Sequence, residues 1–217
     1  MRILLSFDLR ILFAFTLLFQ NCYLTNSKFT NRIDRSVGIS QKQNDSLPFA
    51  SGLIVSEKEV LTVYHAVMGH ENDLVVFDGT SKKRDLQVIK SEVLFDLSLL
   101  RCEECNFNFH TFDSIDRNDL KIGDKIYLFG SPYRLSHSYK EGYISNLDRS
   151  GIDPTYPNIP FIQSYGISDP GNSGAGVFTM ESKFIGIQRA NFGYQAGGEV
   201  GLIIPSGFVN VFLEKSR

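Results

Sequence analysis

Ser173 lies in Asp169-Pro170-Gly171-Asn172-Ser173-Gly174-Ala175-Gly176, a glycine-rich turn with apolar runs on both sides. A serine hydroxyl becomes a nucleophile only when a base takes its proton and donors hold the oxyanion that its attack creates. The chain offers such partners upstream. His65 follows the apolar run 59–63, and an imidazole is a base near neutrality. Asp96 precedes the apolar run 97–101, and a carboxylate beside an imidazole fixes its tautomer and stabilises the imidazolium. Gly171 permits a backbone turn that aims amide N–H groups inward, so Gly171 and Ser173 are the expected oxyanion donors. Taken singly, each residue has an ordinary explanation: a packed histidine, a turn aspartate, a turn serine. Only the three in combination point to acyl transfer.

These groups need a rigid frame. Short apolar runs between turn residues recur along the chain, which has 18 Phe, 18 Gly and no Trp. That pattern is the mark of an all-β chain. Strands are expected at 36–39, 49–55, 59–63, 73–77, 86–94 and 97–101, then at 125–129, 138–146, 161–163, 175–179, 184–189 and 200–204. Residues 107–119 read as the connection between two halves. Near the end, Phe208, Val211 and Phe212 have helical spacing, with Ser206 as the expected N-cap. The 217 residues suffice for one well-buried domain or two small subdomains sharing a core.

Six segments agree in order with a known family. SGLIVSEKEVLTVYHAV, DLSLLR, GDKIYLFGSPYRLSHSYKEGYISNL, FIQSYGISDPGNSGAGVF, FIGIQ and IPSGFVNVFLEK together resemble the trypsin-like serine proteases, in particular the bacterial Deg (HtrA) branch. The likeness runs from about Phe49 to Lys215. It implies two packed six-stranded antiparallel β-barrels, the first about 36–110 and the second about 120–217, with a short C-terminal helix. His65 and Asp96 would come from the first barrel and Ser173 from the second. The activity implied is that of a serine endopeptidase acting on protein or peptide substrates without a cofactor. Val63-Tyr64 depart from the small or polar residues common before the histidine. The PDZ domains usual in that branch are not expected here.

The resemblance also bears on specificity. Ile167, six residues before the nucleophile, stands where the family floors the pocket for the residue preceding the cleaved bond (P1). An acid there would favour Lys or Arg; isoleucine favours an aliphatic P1. Gln188 stands where glutamyl-specific relatives place a histidine, and Arg189 beside it is a minor alternative, a cation able to attract an acidic substrate residue. Arg35-Ser36-Val37-Gly38 faintly resembles a zymogen cleavage point. The aspartate that would pair with a new N-terminus is replaced by Asn172, so activation by such cleavage is not expected.

The start of the chain reads as an export signal. Residues 1–10 carry Arg2 and Arg10, 11–19 are a short apolar core, and Gln20-Asn21-Cys22 follow. That run falls short of the ~20 residues a bilayer span needs. Residues 1–21 are therefore the expected signal peptide and 22–35 a tether. Cys22 resembles a lipoprotein processing site in a loose form, with Asn21 and Phe19 departing from it. Cleavage by an ordinary signal peptidase is the rival reading. An exported protein, periplasmic or at the cell surface, follows, with membrane contact only through an N-terminal lipid. There Cys102 and Cys105 have the choice of a local disulfide or a free loop pair; a zinc site would need more ligands than C-E-E-C and His110 supply. The net charge of −2 gives no basic surface for nucleic acid. His70, His110 and His137 read as surface or loop residues. Tyr133, Tyr139 and Tyr143 read as barrel packing, and Lys82-Lys83-Arg84 as a solvated hairpin. A surface-anchored binding protein on the same fold is the competing function, although a pure binder has no chemical need for all three catalytic groups.

Overall fold

In the computed structural model, residues 35–43, 47–77, 82–192 and 199–215 are described. The first half holds β1 (Ser36–Gln41), β2 (Ala50–Ile54), β3 (Glu59–Val63), β4 (Leu74–Phe77), β5 (Lys83–Glu92) and β6 (Leu97–Arg101). They close into a barrel in the order β1-β2-β3-β6-β5-β4. The second half holds β7 (Lys125–Gly130), β8 (Ser138–Arg149), β9 (Phe161–Tyr165), β10 (Gly176–Thr179), β11 (Phe184–Phe192) and β12 (Val200–Pro205). They close in the order β10-β11-β12-β9-β8-β7. Neighbouring strands are antiparallel throughout. Among the described residues, two α-helices accompany the barrels: the single turn α1 (Tyr64–Val67) and α2 (Ser206–Glu214).

Strands β3, β7 and β12 are apolar on consecutive positions because both faces are buried. Successive side chains of a strand point to opposite faces. In β7, Ile126 and Leu128 fill the second barrel, while Tyr127 and Phe129 face the first. In β3, Val60 fills the first barrel while Leu61 and Val63 face the second. The interface layer combines Leu53, Leu61, Val63 and Leu97 with Tyr127, Phe129, Phe161, Phe178, Phe184 and Leu202. Truncating one of these to alanine would cost about 2–5 kcal/mol. Val63, an odd residue before the histidine, thus belongs to the layer that joins the barrels.

Helix α2 closes the same layer with Val209 and Phe212. It also reaches the first barrel: Lys90 Nζ donates to the Phe212 carbonyl at 3.0 Å, and Phe208 meets Phe95 edge to face at 5.1 Å. Its cap differs from expectation. Pro205 is the N-cap and Ser206 the first helical residue, because Ser206 Oγ donates instead to the Ile115 carbonyl at 2.9 Å. Cys102 and Cys105 form a disulfide within the core of the first barrel. Tyr139 packs against Tyr127 and Phe129, whereas Tyr133 and Tyr143 are exposed. Lys83 and Arg84 lie in β5, with Arg84 paired to Glu104 at 2.6 Å. Residues 78–81, and the expected turn at Asp78-Gly79, lie outside the described residues. So do the expected signal peptide, the lipid site Cys22 and all of the tether but Arg35.

Candidate active site

His65 is carried by α1, the turn that begins as β3 ends. Asp96 ends a 3₁₀ turn, Val93–Phe95, in the left-handed region at φ 54° and ψ 40°. Aspartate tolerates that conformation better than most residues. The two segments are locked by three hydrogen bonds. Tyr64 N donates to the Asp96 carbonyl at 3.0 Å, and His65 N donates to Asp96 Oδ1 at 2.8 Å. The imidazole Nδ1 lies 2.7 Å from Asp96 Oδ2. Asp96 is fully buried, while the His65 side chain is 36% exposed. With Nδ1 committed to the carboxylate, Nε2 is the nitrogen left to act as a base.

The serine turn is held carbonyl by carbonyl. The carbonyl of Asp169 accepts from Asn172 N at 3.0 Å, and that of Pro170 from Tyr133 N at 2.7 Å. The carbonyl of Gly171 accepts from Ser51 Oγ at 2.7 Å. Those of Asn172 and Ser173 accept from Ala175 N at 3.0 Å and Ser51 N at 2.8 Å. Five consecutive carbonyls are therefore tied outward. Among the described residues, no acceptor meets the N–H of Gly171 or of Ser173. Gly171 adopts φ +98° and Gly174 φ +92°, where other residues are strained. A Cβ on Gly174 would stand 2.0 Å from the Ser51 carbonyl oxygen, so the first barrel presses directly on the turn.

Ser51 and Tyr133 were invisible as site residues in the sequence. Ser51 sits in β2, fully buried, and its Oγ also accepts from Ser131 N at 2.9 Å. It joins strand β2, the 131–134 turn and the serine turn in one hydroxyl. Tyr133 is left-handed at φ 51°, which aims its N–H at Pro170. The only hint was the placement of a small polar residue inside an otherwise apolar strand.

The expected specificity residues have different fates. Ile167 is fully buried in the core of the second barrel with Ala175 and Val177, and its carbonyl accepts from Asn172 Nδ2 at 3.0 Å. Asn172 is thus an internal tie of the turn. Gln188 is buried, and its Nε2 donates to Ser168 Oγ at 3.0 Å. Arg189, considered for an acidic substrate residue, is turned onto two carboxylates of the protein. The β11–β12 ladder skips it, pairing Gln188 with Ile203 and Ala190 with Leu202. Such a bulge re-aims a side chain. Its Nε donates to Asp96 Oδ2 at 2.9 Å and its Nη1 to Asp153 Oδ2 at 2.5 Å. Burial pushes the guanidinium down, and the two carboxylates, Asp96 first, more than reverse this and hold it above its ordinary value.

The surrounding chain has known relatives. A model described as a trypsin-like peptidase domain matches residues 50–187. A probable periplasmic serine endoprotease DegP-like of Halomonas elongata is 31% identical over 177 residues, which is 81% of this chain and 36% of that protein. A protein of the same description from Buchnera aphidicola subsp. Baizongia pistaciae is 29% identical over 191 residues, 85% of this chain and 40% of that one. The chain therefore spans well under half the length of these relatives. The structure of an HtrA-type protease, AlgW, with a tripeptide superimposes with a TM-score of 0.73 at 22% identity, covering 85% of this chain and 60% of that one. Two closed six-stranded barrels, the order of the matched segments and the family model agree: the chain belongs to the trypsin-like peptidase domain family.

Proposed function

We propose that this chain is an exported serine endopeptidase whose nucleophile is Ser173, whose base is His65 and whose orienting carboxylate is Asp96. The observation that carries the reading is the serine turn: its carbonyls are tied outward, and the N–H groups of Gly171 and Ser173 have no acceptor among the described residues. That is the arrangement an oxyanion requires before substrate arrives. In the first step Ser173 Oγ attacks the peptide carbonyl carbon and its proton passes to His65 Nε2. The oxyanion is held by the two N–H groups, each worth about 10²–10³ in rate. His65 then protonates the leaving amine. A water deprotonated by His65 opens the acyl-enzyme and frees the acid.

The substrate is a protein or peptide, as the names of the relatives suggest for those proteins. An aliphatic P1 residue is favoured: Ile167 offers no acid, and Gln188 is neutral and already donates to Ser168. Export rests on the basic, apolar, polar order of residues 1–22 and accords with the periplasmic naming of the relatives. Lipidation at Cys22 is the finer version of the same reading. A fluorophosphonate probe should label the wild-type chain and spare Ser173→Ala, and a peptide library should show cleavage after aliphatic residues. Equal labelling of both proteins would sink the assignment of the nucleophile.

A further inference from the structure

We infer that Arg189, braced by Asp153, is a positioning residue of this site: it shares one oxygen of Asp96 with His65 and sets how strongly that carboxylate pulls on the imidazole. The inference rests on the triad reading above and deepens it. Asp96 Oδ1 is taken by the His65 amide at 2.8 Å. Oδ2 faces both the imidazole Nδ1 at 2.7 Å and Arg189 Nε at 2.9 Å. A full positive charge therefore sits in hydrogen-bond contact with the carboxylate that an imidazolium would lean on.

The cation is fixed on every side. Its other arm is held by Asp153, and its plane lies over the rings of Tyr156 at 4.5 Å and Phe161 at 5.5 Å. Asp153 and Tyr156 share one turn after β8, in which Thr155 N donates to Asp153 Oδ1 at 2.8 Å and Tyr156 N to the Asp153 carbonyl at 3.0 Å. One residue of the turn grips the guanidinium edge and the other covers its face. The Arg189 side chain is only 12% exposed. Satisfying Oδ2 alone would need no charge; a hydroxyl would do. Burying an ion network where a neutral donor suffices is a poor route to stability. Its effect is electrostatic: Arg189 offsets part of the Asp96 charge and competes for the same oxygen, and Asp153 in turn offsets part of Arg189. The charged and titratable groups facing the His65–Asp96 pair are Arg189 from β11, and Asp153 and Tyr156 from the turn after β8. Burial, then the nearby Asp96 charge, pushes the Tyr156 phenol up, so it stays neutral through the working range.

The test uses the full chain with Arg189→Thr and Asp153→Asn. Two quantities are read: the acidic limb of kcat/KM on a peptide substrate, and the titration of the His65 ring by NMR. Arg189→Thr should move both to higher pH by roughly one unit, the scale of one charge removed beside a partly buried site. Asp153→Asn should move both the opposite way by a few tenths of a unit, because it leaves the guanidinium less compensated. A bracing role without electrostatics would lower kcat in both variants and shift neither titration. Shifts of the same sign, or none, overturn the inference. Asp153→Asn keeps it falsifiable should Arg189→Thr fold poorly. The NMR titration needs no turnover. Opposite shifts in a chain that cleaves nothing would uphold the role of Arg189 and defeat the endopeptidase reading; cleavage with unmoved titrations would do the reverse.

Discussion

Replacing Ser51 by alanine should damage the site although the residue lies outside the proposed triad. The hydroxyl donates to the Gly171 carbonyl at 2.7 Å and accepts from Ser131 N at 2.9 Å, at a fully buried position. Removing it strands one part-buried C=O and one buried N–H, at up to about 1–3 kcal/mol each. The unrelaxed cost is thus up to about 2–6 kcal/mol, a large share of the ~5–15 kcal/mol that typically separates folded from unfolded. The turn can recover part of this by rotating the Gly171 carbonyl toward solvent. That rotation turns the whole Gly171–Asn172 peptide, breaks the Asn172 N–H bond to the Asp169 carbonyl and loosens the turn that sets the proposed oxyanion donors, each worth about 10²–10³ in rate. The expected outcome is a stability loss of about 2–4 kcal/mol in urea unfolding, with kcat down at least ~10-fold and KM nearly unchanged. A fluorophosphonate labelling rate gives the same answer without a substrate. If Ser51→Ala kept both its unfolding midpoint and its labelling rate, the idea that this hydroxyl holds the serine turn would be refuted.

Three further outcomes follow from the same geometry. Gly174→Ala places a Cβ against the Ser51 carbonyl at a positive φ, and should cost about 2–4 kcal/mol in thermal or urea unfolding with loss of labelling. For Asp153, burial pushes the carboxyl up, but the Thr155 N–H and the Arg189 charge outweigh it and hold it below its ordinary value. A depressed carboxyl contributes stability above the unfolded value near 3.9 and loses it as pH falls through the folded value. Asp153→Asn should therefore be less stable than wild type by about 1 kcal/mol at pH 7, with the gap closing between about pH 4 and pH 2 in paired urea melts. The Cys102–Cys105 disulfide closes a loop with a sequence separation of 3. So short a loop limits its contribution to about 2 kcal/mol, and reduction should lower the urea midpoint while leaving peptide cleavage intact.

The frame was legible because burial on both strand faces writes itself as consecutive apolar residues. Lys125–Gly130 and Val200–Pro205 could be read that way, and the observed strands differ from the expected ones mainly at their ends. His65, Asp96 and Ser173 stood out as candidates from residue type and order beside such runs, and the structure brings His65 and Asp96 into contact. What escaped were contacts between distant positions. Arg189 touches Asp96 across 93 residues, and Ser51 touches Gly171 across 120. No local pattern reports either. Arg189 was considered for substrate because of its place beside Gln188 in the family's pocket wall, whereas a bulge at that point of β11 turns it onto Asp96. Ser206 was misread because the carbonyl of Ile115, 91 residues away, claims its hydroxyl.

Each sheet closes on itself, so neither half leaves an open strand edge for the other to complete. The halves are joined by a layer of side chains and by bonds such as Ser51 N to the Ser173 carbonyl and Ser36 Oγ to the Phe129 carbonyl. Self-assembly and reactivity are thereby separable. A chain cut within residues 107–119 would yield two complementary pieces, each with its own closed sheet. The proposed nucleophile, Ser173, would stay silent on one piece until the other arrived with the His65 imidazole and with the Ser51 hydroxyl that sets the turn. Read this way, the inter-barrel seam is a coincidence detector: it reports, by labelling of a single serine, that two independent folding events have both succeeded and met.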